Sequence, residues 1–321
     1  MKLSFIEKTF SIYICFLLVL PLFIKTYWLH VMILGNIYAI LAITLDLLLG
    51  YTGMTSFAHA GIFGLGAYTS AIFSKTIGLN PWISLLIACL ITVTVGTLFS
   101  FSISKVKGHY FAICTLGLNQ IIWLIMLNWY EVTRGMLGFY GIPPYPGIPY
   151  TKESYYYLSL GLLLLTFFAL YKLVNSPIGF RLKAVRDDED AAQALGINVP
   201  KYKVISFAIS SLFIGAAGSI YAHFHLLVAP ETCHLSTSTL VIAMVIIGGK
   251  GTLIGPFLIA YFIQFITEYL RIFSPYYRMF MIGTITLVII KYAPGGVLGL
   301  IRDKIIRPRL LKRLELERTP T

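Results

Sequence analysis

Apolar runs of about 20 residues follow one another along most of this chain, and a run of that length matches a helix crossing a hydrocarbon layer. Spans are predicted at 10–24, 29–49, 56–73, 81–103, 111–129, 155–174, 204–228, 240–247, 253–269 and 279–300, the eighth short and flanked by glycine. The fold class expected is therefore all-α, a polytopic transmembrane helix bundle of about ten spans (eight to ten). Composition agrees, since 58% of the residues are hydrophobic and only 12% charged. At a mean hydropathy of +0.82, too little charge is left to cover a water-soluble surface. The first run follows Lys2 and Lys8 but has no small-residue cleavage pattern, so it reads as an uncleaved helix.

A formal charge of +12 would suggest nucleic acid for a soluble protein, but no basic stripe interleaved with aromatics is present. The positive charge has a topological reading instead. With a cytoplasmic N-terminus, one set of loops holds Lys2, Lys8, Lys105, Lys107, Arg181, Lys183, Arg186, Lys201, Lys203, Lys250 and the arginines and lysines of the tail. The other set holds only Lys25, Lys75, Arg134, Lys152, Arg271 and Arg278. Both termini are expected inside. The transmembrane region would then cover residues 1–300, and 301–321 would form a basic cytoplasmic tail, its cations alternating with leucine as in a surface-lying anchor. The outer loop, 130–154, contains the run G-I-P-P-Y-P-G-I-P, which favours extended, semi-rigid backbone. It reads either as a structured lip or as an ordinary connection.

Residues 176–198 are the most charged internal segment, S-P-I-G-F-R-L-K-A-V-R-D-D-E-D-A-A-Q-A-L-G-I-N. Proline ends the preceding span. Leu182 and Val185 recur at helical spacing, with Arg181, Lys183 and Arg186 facing away from them. Asp187 or Asp188 can cap a second short helix, with Glu189 and Asp190 in its first turn and Gly196 closing it. A helix of about eight residues is unstable alone in water. It must dock, on another protein or as a lid on its own membrane surface, and Ala191, Ala192, Ala194 and Leu195 offer a small flat face for doing so.

The D-A-A-Q-A-L-G of this segment, Asp190 to Gly196, resembles the EAA-x-x-x-G loop of bacterial ABC-importer permeases, with Asp190 in place of Glu. The whole segment is more similar to the branched-chain amino acid permease group, specifically its larger permease subunit. The I-x-L-P that follows in maltose and oligopeptide permeases is missing after Gly196. Three further stretches carry the same resemblance. These are G-Y-T-G-M-T-S-F-A-H-A-G-I-F-G-L-G-A-Y-T from Gly50, G-H-Y-F-A-I-C-T-L-G from Gly108 with T-R-G-M-L-G-F-Y-G-I-P from Thr133, and I-G-G-K-G-T-L-I-G-P from Ile247. Met54 and Ala58 depart from the glutamine and glycine common in the family.

The resemblance implies a coupling role for Arg186, Asp188, Glu189, Asp190, Ala191, Ala192, Leu195 and Gly196, in a groove of a cytoplasmic ATPase subunit. It implies two such ATPases, a second homologous permease, an extracytoplasmic solute-binding protein and a bacterial inner-membrane location. The cargo would be leucine, isoleucine and valine, or urea or short amides as near relatives carry. No cofactor is expected on this chain, because ATP would be hydrolysed by the partners. G-G-K-G-T at Gly248 fails the phosphate-loop pattern, and no hydrolase constellation appears, so the chain is not expected to be an enzyme.

Read from the residues alone, Gly61, Gly64 and Gly66 permit close helix packing. Alternatively Thr52, Thr55, Ser56 and His59, with Gly61 and Gly64, line a route for a polar solute. Nothing near His59 completes a metal set. Cys15, Cys89, Cys114 and Cys233 lack metal-binding spacing and read as core residues. Asp46, with His30 and Asn36, is the sharpest polar group within a span. A rival reading, an ion-gradient-driven transporter or channel, would rest mainly on Asp46 and Glu268.

Overall fold

The computed structural model describes residues 26–270 and 275–292, with Leu17, Pro21, Gly295 and Gly296. Most of the first predicted span and the whole basic tail lie outside the described residues. The others each have a helical counterpart. Helix α1 is Thr26–Asp46, continued by a π-helical turn at Leu47–Tyr51; α2 is His59–Lys75, α3 Pro81–Ile103, α4 His109–Asn128 and α5 Lys152–Val174. The charged segment forms α6, Pro177–Asp187, and α7, Glu189–Ala194. There follow α8 Val199–His225, α9 Leu235–Gly248, α10 Ile254–Tyr269 and α11 Pro275–Tyr292. Five of these are long and apolar enough to cross a membrane, whereas α9 and α10 are shorter.

Several helix starts follow one local rule: a polar side chain accepts a backbone N–H, with proline in the first turn. Asn80 accepts from Trp82 N at 3.0 Å before Pro81, and Asn198 from Lys201 N at 3.1 Å before Pro200. Asn198 extends α8 five residues beyond the predicted apolar start at Val204, because a cap supports a helical turn whose side chains are polar.

The core is built on α8, which packs on α1, α2 and α3, while α5 and α10 pack on α1 and α4 packs on α2. Burial sorts the layers: 89% of the span in α1 is buried but only 28% of that in α3. The α2–α8 crossing is a glycine contact. A Cβ on Gly66 would stand 2.7 Å from Gly215 Cα, and one on Gly218 2.3 Å from Phe63 O. Small residues let the two backbones approach to a distance that larger side chains would forbid. Cys89 and Cys233 are buried and Cys114 half-buried, all with free thiols.

Contacts sort the connections onto two ends of the bundle. One end gathers α6, α7, the π turn and the α9–α10 break. The other carries an antiparallel ribbon, β1 (Phe139–Tyr140) with β2 (Leu227–Val228). Beside the ribbon Lys75 donates to Tyr140 O, and Trp82 Nε1 donates to Pro146 O at 3.1 Å.

Candidate functional site

At the first end, α6 and α7 meet at Asp188, whose backbone is extended and whose carboxylate accepts from Asp190 N at 2.8 Å and Ala191 N at 3.0 Å. Those two donors hold its carboxyl below the ordinary value of 3.8. Gly196, at a φ of 82°, closes α7. The pair is seated from beneath: Leu182, Val185 and Ala192 are buried, and Glu189 reaches the buried Lys203 at 2.8 Å. Lys203 also donates to Val106 O at 3.1 Å, which ties α7 to both α8 and the α3–α4 turn. Asp190 pairs with Lys107 on the exposed side, and that carboxylate raises the lysine's pKa.

The flat alanine face is thereby divided. Ala192 turns inward onto the bundle, while Ala191, Gln193, Ala194 and Gly196 are exposed and Leu195, at the end of the helix, is 82% exposed. Sequence spacing could not make this division, because Ala191 and Ala192 are equally small and apolar.

Arg186 departs from the expectation that it faces away. Its Nη1 donates to Gly50 O at 3.0 Å, while Nε and Nη2 hold Asp187 at 2.9 and 2.7 Å. Lys183 lies 5.7 Å from the centre of the Tyr51 ring. The charged segment is thus fastened to the π turn. One residue deeper is Asp46, fully buried. Its Oδ1 accepts from Gly251 N at 2.7 Å, and its Oδ2 accepts from Thr252 N at 3.1 Å and Leu253 N at 2.9 Å. The Asp46 carboxyl group caps the break between α9 and α10. Gly50 is obligatory there, since a Cβ would fall 2.2 Å from both Asp46 Oδ1 and Gly251 N.

The proposed path residues gather around the start of α2, deep in the bundle. Thr52 is buried and donates to Leu47 O at 2.9 Å; Thr55 is half-buried; Ser56 is buried and accepts from Ala58 N at 3.3 Å. His59 is buried against the Thr44 backbone with neither ring nitrogen in a well-formed hydrogen bond. Gly61 packs on Asn119 and Gly64 on Cys233. The free N–H groups of the helix start are met by other helices: Phe57 N donates to Thr115 Oγ1 at 3.1 Å, Ala60 N to Ser238 Oγ at 3.0 Å, and Gly61 N to Asn119 Oδ1 at 2.6 Å. Asn119 Nδ2 also donates to Cys233 O at 3.1 Å, holding the turn Pro230–Cys233 inside the bundle. Asn119, Thr115 and Ser238 escaped the sequence reading. The signal was there, a polar pair one helical turn apart on an apolar span.

At the opposite end, the Gly-Pro loop folds against the bundle with Ile142 and Tyr145 buried. His223 Nδ1 lies 2.6 Å from Pro143 O and so carries the proton, leaving Nε2 to accept from Ser70 Oγ at 2.9 Å. At this end a cavity of about 240 Å³ opens between α1, α2, α8, β2 and the start of α9, lined by Tyr38, Phe63, Tyr221, His225, Glu231 and Thr237 among others. Among the described residues no three His, Cys, Asp or Glu side chains converge as a metal would require.

An apolar helix bundle with a charged helix pair fastened to one end and a small cavity near the other has the form of a membrane subunit of a transporter. The chain matches, over residues 27–290, the family described as the branched-chain amino acid transport system permease component, and it belongs to that family. It is 30% identical over 295 residues to the high-affinity branched-chain amino acid transport system permease protein LivM of Salmonella typhimurium, covering 84% of this chain and 69% of that one. LivM of Escherichia coli is likewise 30% identical over 298 residues, covering 85% and 70%. The guanosine ABC transporter permease protein NupQ of Bacillus subtilis is 30% identical over 192 residues, covering 53% and 59%. No solved structure matches.

Proposed function

We propose that this ABC permease imports leucine, isoleucine and valine across the bacterial cytoplasmic membrane, as the larger of two membrane subunits. About ten spans would place both termini in the cytoplasm, as the distribution of lysine and arginine favours. Two separate ATPase subunits would supply the energy and an extracytoplasmic binding protein the solute. Closure of the ATPases would push on α6 and α7, and rigid-body motion of the helices fastened to them would switch a central site between outward and inward access.

The observation that carries this reading is the form of α7. It is too short to be stable alone, it is seated by Glu189 and Ala192, and it presents Ala191, Ala194 and the 82% exposed Leu195 on its outer side. The arrangement suits a groove on a second protein. The test is co-expression with the candidate ATPase subunits, comparing wild type with Leu195→Asp and Ala191→Trp. Both variants should keep the bundle's thermal stability but lose ATPase association and leucine uptake. Intact association in both would end the coupling assignment. Uptake that collapses on dissipating ion gradients at constant ATP would instead favour a gradient-driven transporter.

A further inference from the structure

The cavity opposite the coupling segment carries a more specific assignment, one that rests on the importer reading above. Its walls are aromatic: Phe63 and Tyr221 meet edge to face with centroids 5.2 Å apart, and Tyr38 and Leu227 complete the apolar lining. Polar groups share the lining. His225 Nε2 is buried without a hydrogen-bond partner, in a ring held against Tyr221 at 4.4 Å and Phe224 at 5.0 Å. Glu231 stands in the turn that Asn119 fastens through Cys233 O, and its carboxylate enters none of the ion pairs among the described residues. Thr237 adds a hydroxyl from the first turn of α9. The lining therefore has one carboxyl side chain, no lysine or arginine, and aromatic faces that attract both hydrocarbon and ammonium.

Size narrows the ligand further. The cavity is small, about 240 Å³. It falls below the roughly 300–1,000 Å³ that encloses a drug-sized molecule. A pentose is small enough, but it brings no cation to Glu231 and no hydrocarbon to Phe63 and Leu227. A compact molecule with an ammonium at one end and a hydrocarbon branch at the other meets all of these surfaces.

We propose that this cavity is a transit site for an aliphatic α-amino acid, its ammonium held by Glu231, its side chain against the rings of Phe63 and Tyr221, and its carboxylate facing the His225 imidazole and the Thr237 hydroxyl. The experiment uses the complete transporter, co-expressed with its ATPase, second permease and binding-protein subunits in proteoliposomes, and measures labelled leucine uptake. Glu231→Gln should raise the KM for leucine about tenfold or more, as loss of a charge-assisted hydrogen bond does. ATPase association should not change. Isoamylamine, which keeps the ammonium and loses the carboxylate, should inhibit wild type and lose that inhibition in Glu231→Gln, an effect that a merely structural glutamate would not produce. Phe63→Trp, which fills the cavity, should depress uptake of leucine more than that of alanine. Wild-type leucine uptake with an unchanged KM in both variants overturns the site and leaves the importer reading standing. Absence of wild-type leucine uptake from the assembled complex overturns the importer reading itself. If Glu231→Gln fails to assemble, the leucine-to-alanine ratio of Phe63→Trp decides.

Discussion

The two ends of the bundle are held by different physics. At the coupling end, charges grip backbone: Asp46 takes three N–H groups of the α9–α10 break, Arg186 holds Gly50 O, and Lys203 joins Glu189 to Val106 O. At the opposite end the contacts are rings, a two-residue ribbon, a Gly-Pro loop and a neutral Ser70–His223–Pro143 relay. Directional charge-to-backbone bonds transmit displacement, because an ion cannot slide from its partner without losing several kcal/mol in a low-dielectric setting. Aromatic contacts tolerate rearrangement within about 1 kcal/mol. The difference suits an end that receives force and an end that accommodates a solute.

The comparison breaks most severely at Asp46 and Gly50. Asp46→Ala leaves three N–H groups of the break without their acceptor, that of Leu253 buried, and should cost about 3 kcal/mol or more. Gly50→Leu drives a side chain into space already held by Asp46 Oδ1 and Gly251 N, and should prevent assembly altogether. Thermal unfolding in detergent and protease cutting near Gly249–Leu253 would register both. A matching polar loss at the other end, Ser70→Ala, should cost no more than about 1.5 kcal/mol. Equal losses would erase the distinction between the ends.

An intermediate effect is expected at Lys203. Lys203→Met removes a buried partner from Glu189 and Val106 O, yet Glu189 can turn to water, so the loss should be about 1–3 kcal/mol. Hydrogen exchange should show it locally, with protection falling across Glu189–Ala194 and staying unchanged at β1 and β2.

The smallest effect is a pH dependence. The carboxyl of Asp188 is depressed in the folded state, so its contribution is present above the unfolded value and is lost as pH falls through the lowered folded value. Exchange protection in α7 should hold from neutral pH down to about 4 and decline below that. Asp188→Asn keeps the cap and should flatten this acid limb. Lys107, its pKa raised by Asp190, has the opposite sign, its contribution being lost as pH rises past that raised value, and at full exposure it contributes little.

Much of the architecture was legible in the residues because helix signals are local. Asn80 before Pro81, Ser176 before Pro177 and Asn198 before Pro200 each start a helix where a short-range rule says one should. Asp188 and Gly196 bound α7 for the same reason. The candidate site was legible only in part. Residues 176–198 announced themselves by charge contrast, but the inward turn of Ala192 and the reach of Arg186 to Gly50 depend on what lies beneath them. Asp46 stood out as an intramembrane carboxylate, yet its partners are backbone amides some two hundred residues away, and an amide carries no mark in sequence. His225 and Glu231 sat among ordinary loop-end residues until the fold placed Tyr38, Phe63 and Tyr221 across from them.

The sequence by itself determined that the chain is an apolar helical bundle of the branched-chain amino acid permease family with a charged helix pair between two of its spans, because apolar run length, capping residues and charge contrast act within a few residues of chain. Only the tertiary structure decided which groups are joined: the capping of the α9–α10 break by Asp46, the seating of α7 on Lys203, and the ring-walled cavity at the other end. Those are contacts between elements far apart in sequence. They arise when glycines such as Gly66 and Gly218 let backbones meet, and the same local pattern could have been packed otherwise.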